Sequence, residues 1–130
     1  MYTSNSTDTE PLKEILQDNE DLLGFSIDNQ PTKADYIFIN NRLASYIEKA
    51  TFFKILLQFK DHGVIAPAHI FEELKNLLVY YKKQTKIAAL ASSKIQNKIL
   101  EGDLHMENTE IRCFDLEKQA VAIAWLSKDT

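Results

Sequence analysis

The sequence holds a single cysteine, Cys113, so no disulfide can close within the chain. Its apolar setting between Ile111 and Phe114 favours a buried structural thiol over a reactive one. No apolar run approaches the roughly 18 residues that a membrane span needs. Met1 to Glu10 are polar and acidic, whereas a secretory leader would be basic and then apolar. These scarcities lead us to expect a cytoplasmic protein with no membrane partner, so the glycosylation triplet Asn5-Ser6-Thr7 would never meet its enzyme. The chain also lacks a Gly-rich phosphate loop, a Cys and His set with zinc spacing, and a Gly-x-Ser-x-Gly elbow. His62, His69 and His105 lie too far apart in sequence to suggest a local metal site, and nothing argues for nucleophilic catalysis.

What is present fits one hydrophobic core. At 130 residues, with 45% hydrophobic and 26% charged side chains, the composition is that of an ordinary globular domain. We read residues 1–8 as a disordered N-terminal tail and 9–130 as a single domain. The net charge of −4 conceals an uneven distribution. Asp8, Glu10, Glu14, Asp18, Glu20, Asp21 and Asp28 face only Lys13 near the front, while Lys75, Lys82, Lys83, Lys86, Lys94 and Lys98 make the middle basic. A lysine run of this kind reads either as a solvated helix face or as a surface for a polyanion such as RNA.

Thr9, Glu10 and Pro11 are residues that helix starts favour, which predicts a first helix from Thr9 to about Asn19. Phe25 to Asp28 closes a short apolar run and predicts a strand. From Tyr36 to Lys60 apolar residues recur every three or four positions, which predicts one helix, or two with a break near Lys49 or Thr51. Gly63 and Pro67 bound the triplet Val64-Ile65-Ala66, predicting a second strand. Helices are predicted from Ala68 to Tyr81 and beyond Lys83 to Gly102, then a strand at Ile111 to Phe114 and a helix from Leu116 to Leu126. The alternation predicts an α/β fold with a small three-stranded parallel sheet flanked by helices; an all-α helical bundle is the alternative. The apolar stripes place Phe53, Leu57, Leu74, Leu77, Leu90, Val121 and Trp125 in the core.

The segment Gly63-Val64-Ile65-Ala66-Pro67-Ala68-His69-Ile70-Phe71-Glu72-Glu73-Leu74-Lys75-Asn76-Leu77-Leu78 carries the most pattern. It resembles the second strand and following helix of PIN-domain ribonucleases, the fold of VapC-like toxins in VapBC toxin–antitoxin pairs. In that family a strand ends at Pro, a Glu follows six residues later and an Asn three further on, as Pro67, Glu73 and Asn76 do here. The resemblance implies an endoribonuclease with Asp28 and Glu73 as catalytic and metal-binding acids for Mg²⁺ or Mn²⁺, hard cations that need several oxygen ligands. Asp35 and Asn40 compete with Asp28 for the family's first acid. The family's later aspartates have no counterpart in context, so the implied site is incomplete, PIN-like and truncated, with weak metal binding and little or no cleavage. RNA or an antitoxin-like protein would then be the partner, and a homodimer is compatible. Two other readings stay open: a helical protein-binding or regulatory module, and a helix-turn-helix DNA-binding unit over Phe52 to Leu78, with Glu72 and Glu73 poorly placed for phosphate contacts.

Overall fold

The computed structural model describes residues 12–15, 22–28, 32–49, 52–60, 67–101 and 108–128. Along them run β1 (Leu12–Ile15), β2 (Leu23–Ile27), α1 (Lys33–Lys49), β3 (Phe52–Phe59), α2 (Pro67–Tyr81), β4 (Gln84–Leu90), α3 (Ser93–Glu101), β5 (Thr109–Phe114) and α4 (Gln119–Ser127). The strands form one five-stranded sheet in the order β1-β2-β3-β4-β5. β1 pairs antiparallel with β2, Leu12 opposite Ile27. The other three pairings are parallel, with Phe25 opposite Leu57, Leu57 opposite Ala89, and Ala89 opposite Cys113.

The order of the parallel strands decides where the helices go. Each crossover from β2 to β5 steps one place in the same direction, and crossovers of one hand then leave their helices on one face. Accordingly Ile39, Leu43 and Ile47 of α1, Phe71 and Leu74 of α2, and Ile95 and Ile99 of α3 share a core with Phe25, Ile55, Leu57 and Ile87. α4 follows the last strand and covers the opposite face, where Ala122 and Leu126 meet Leu56, Ala88 and Leu90. Between two covered faces β3 and β4 are buried on both sides, from Phe53 to Leu57 and from Thr85 to Leu90.

This architecture corrects the expected three-stranded parallel sheet: the sheet is five-stranded and mixed, and four helices flank it. The all-α alternative does not fit either. Of the expected strands, Phe25 to Asp28 falls on β2 and Ile111 to Phe114 on β5, while Val64 to Ala66 lies outside the described residues. The first helix, expected from Thr9, is a strand where it is described, at Leu12–Ile15. Pairing with β2 supplies its backbone partners, and tertiary pairing of this kind overrides local end signals. The expected helix from Tyr36 to Lys60 is α1 followed by β3, and the helix expected beyond Lys83 is β4 followed by α3. A strand buried on both faces shows an unbroken apolar run, which the helical period mimics. Because Phe52 to Phe59 is a strand, the helix-turn-helix reading falls as well.

Phe53, Leu57, Leu74 and Leu90 are buried as expected, and Leu77 is packed only partly against the core. Val121 is 53% exposed, because α4 is apolar all round and turns Ala122 and Leu126 to the sheet instead. Trp125 lies partly buried beside Phe114, ring centres 5.9 Å apart. Among the described residues no helix is long and apolar enough to cross a membrane.

Candidate functional site

The first turn of α1 is fixed by a reciprocal cap. Asp35 N–H donates to Thr32 Oγ1 at 3.2 Å, and Thr32 N–H donates to Asp35 Oδ2 at 2.8 Å. Two of the donors that a helix start leaves unsatisfied are thereby met. With its buried stripe on the sheet at Ile39, Leu43 and Ile47, α1 presents Lys33, Tyr36, Ile37 and Asn40 on another side. α2 likewise buries Ile70, Phe71, Leu74 and Leu78, leaving His69, Glu72 and Glu73 to the side facing α1.

These seven residues line an open groove of about 520 Å³ between the N-terminal halves of α1 and α2. Beneath it the core closes. The void among Phe25, Tyr36, Ile39, Leu43, Leu57, Ile70 and Glu73 measures only about 10 Å³, barely room for one water. The void beneath leaves no room for a ligand below the groove. Its walls offer a cation at Lys33, carboxylates at Glu72 and Glu73, an amide at Asn40, a phenol at Tyr36 and an apolar contact at Ile37, which is 54% exposed. Phe38, 42% exposed, lies outside this lining and packs edge-on against Phe25 at 6.3 Å. Mixed polar and apolar side chains of this kind suit recognition of another macromolecule's surface.

A second cluster lies on the α4 face. Lys86 is 3% exposed, and its ammonium donates to the carbonyls of Trp125 at 3.1 Å and Lys128 at 2.8 Å. It also stands 4.9 Å from the centre of the Trp125 ring. A cation at the end of α4, where helix carbonyls point outward, pins that helix to the sheet. The lysine run is therefore not one solvated helix face: Lys75, Lys82, Lys94 and Lys98 are exposed, while Lys86 is inside.

Of the residues singled out in the sequence, Glu73 and Asn40 line the groove. Asp28 follows the end of β2, partly buried, and is not among the lining residues; Asn76 is exposed on α2 outside them. Asp35 is engaged in the α1 cap. Among the described residues no group of three or more His, Cys, Asp or Glu side chains is placed to hold a metal ion. Lys33, Tyr36, Ile37 and His69 were not legible as site residues. The spacing Thr32-x-x-Asp35 is a helix-start signature that would have located the groove's near wall.

Burial raises the pKa of the half-buried Cys113 thiol above its ordinary value. Arg42 and Glu14 join α1 to β1 through two bonds, from Nε at 2.8 Å and from Nη2 at 2.7 Å. That pairing raises the guanidinium's pKa further.

Comparison with known proteins overturns the PIN resemblance. Pro67, Glu73 and Asn76 stand where any helix that starts at a proline and carries acids in its first half could put them, and so discriminate poorly. The VapC-type ribonuclease assignment and the toxin–antitoxin role fall with the resemblance. No curated protein and no solved structure gives a match. A family model does, and it matches residues 22–127, from the residue before β2 to the end of α4. The chain belongs to the SpoIIAA-like family.

Proposed function

We propose that this chain is a regulatory domain that acts by binding a protein, and that the partner is of the anti-sigma-factor class. Family membership supports the regulatory role, since the SpoIIAA-like match points to anti-sigma-factor antagonists of the STAS type. It gives the same support to a protein partner, whereas RNA and an antitoxin were implied by the overturned resemblance. The observation that carries the proposal is the groove between α1 and α2, open above and closed by packed core below. Surface recognition needs an exposed apolar anchor inside a polar surround. Ile37 is that anchor, and Lys33, His69, Glu72 and Glu73 are the surround.

A photo-crosslinking residue at Ile37 tests this in the cells that make the protein. The expected product is one adduct with an anti-sigma-class protein, abolished by Glu73→Lys and absent when the crosslinker replaces Leu100 on α3. No adduct at Ile37, or the same adducts from both positions, would refute the groove as the docking site.

A further inference from the structure

We propose that the chain forms a symmetric dimer by antiparallel pairing of β5 with β5 of a second copy, making one continuous ten-stranded sheet. β5 is the last strand in the sheet order, so one of its sides has no strand beside it among the described residues. Its hydrogen-bonding parity is fixed by its neighbour. Asn108 and Phe114 accept bonds from Thr85 N–H and Ala91 N–H of the β4 segment, at 2.8 Å and 3.0 Å. Backbone groups alternate along a strand, so the even-numbered residues point to β4 and Ile111 and Cys113 point their N–H and C=O outward.

Exposed edges of this kind invite pairing, and charged side chains are a common protection against it. Here the charges select instead. Glu110 and Arg112 sit two apart on the same face, with opposite signs, both exposed. In the register that sets Ile111 against Ile111 of the second copy, Glu110 falls opposite Arg112 of that copy, and symmetry supplies the pair twice. Both pairs occupy positions where directly opposed residues exchange no backbone bonds and approach most closely, at roughly 4.5 Å between Cα atoms. A shift of one residue in each copy puts Glu110 against Glu110 or Arg112 against Arg112, which like charges disfavour. The edge is thus self-complementary in one register.

Two further features fit. Arg112 is already ordered by stacking on Phe114 and Trp125, 5.4 Å and 6.0 Å from the ring centres, which leaves the edge of its planar fork to meet a carboxylate. On the other face Ile111 and Cys113 are only partly buried against the core, so pairing across the edge covers apolar surface as well.

Analytical ultracentrifugation of the full chain, with charge reversals, tests the pairing. The parent is expected to sediment as a concentration-dependent dimer. Glu110→Arg or Arg112→Glu alone should weaken it by about tenfold or more, since each change places two like-charge pairs across the axis. The double reversal Glu110→Arg with Arg112→Glu should restore it, a rescue that misfolding cannot imitate. A monomeric parent at millimolar concentration, single variants that dimerise like the parent, or a double variant that stays monomeric would each overturn the proposal.

Discussion

The cap on α1 links stability to the groove and gives the sharpest test of the geometry. Thr32→Ala removes the hydroxyl that accepts Asp35 N–H, and Asp35→Ala removes the carboxylate that accepts Thr32 N–H. Loss of a helix cap typically costs about 1 kcal/mol, and both bonds are exposed, so the low half of the 0.5–2 kcal/mol range applies to each. For a chain of this size 1 kcal/mol lowers the melting temperature by roughly 3–6 °C. Both side chains belong to one reciprocal cap, where losses couple, so the double variant should lose more than either single variant without having to reach their sum. Thr32→Gly should cost only a few tenths of a kcal/mol, since glycine is itself a tolerated cap. Thermal denaturation measures the four variants together. Because Lys33, Tyr36 and Ile37 ride on this turn, adduct formation at Ile37 should fall in Thr32→Ala at temperatures where the fold persists. A Thr32→Ala variant with an unchanged melting temperature would refute the cap, and one with reduced stability but parental adduct yield would detach the cap from the groove.

Leu74 is 2% exposed and Leu77 only partly buried, so Leu74→Ala should cost about 2–5 kcal/mol in denaturant titration and Leu77→Ala clearly less; equal losses would contradict the observed helix face. Lys86→Ala should cost about 1–3 kcal/mol by removing two charge-assisted bonds, and should shift the emission of the single tryptophan, Trp125, to the red as the end of α4 loosens. An unshifted spectrum would show that Lys86 does not hold α4. With its pKa raised by burial, Cys113 forms thiolate only at higher pH than a free thiol. Its alkylation in the folded chain should therefore lag that of the unfolded chain at neutral pH and catch up as pH rises through the raised value; equal rates at neutral pH would show an accessible, unperturbed thiol.

Among the elements that sequence reasoning placed correctly, α2 and β5 each keep a polar face, while β2, buried throughout, showed only as a short apolar run. α2, expected from Ala68 to Tyr81, spans Pro67–Tyr81, because its apolar stripe and polar back are both visible in the order of residues. β5 shows through for the same reason, as its burial alternates from Thr109 to Arg112. β3 and β4 are the failures, and their position in the sheet explains it. Covered by α1 to α3 on one side and by α4 on the other, they carry no polar face, and Lys86 within the lysine run read as part of a solvated helix face. The site was half legible. An acid at Glu73 stood out by its spacing, but its neighbours in the groove come from α1, whose beginning was set three residues late at Tyr36 instead of Lys33.

Strand order also bears on where the proposed docking groove lies. Open parallel sheets usually bind ligands where the strand order reverses, because helices diverge to opposite faces there and leave a crevice. Here the order runs from β1 to β5 without reversal, and α1 to α3 lie side by side on one face. Among the described residues the groove lies between the N-terminal halves of α1 and α2, with Glu73 in its wall and Asp28 outside its lining. The same monotonic order puts β5 last, with no further strand beside it among the described residues, on the far side of α2 and α3 from the groove's α1 wall. The proposed docking groove and the proposed dimer edge use different elements, so charge reversal at Glu110 should leave the Ile37 adduct unchanged, and loss of the Thr32 cap should leave dimerisation unchanged.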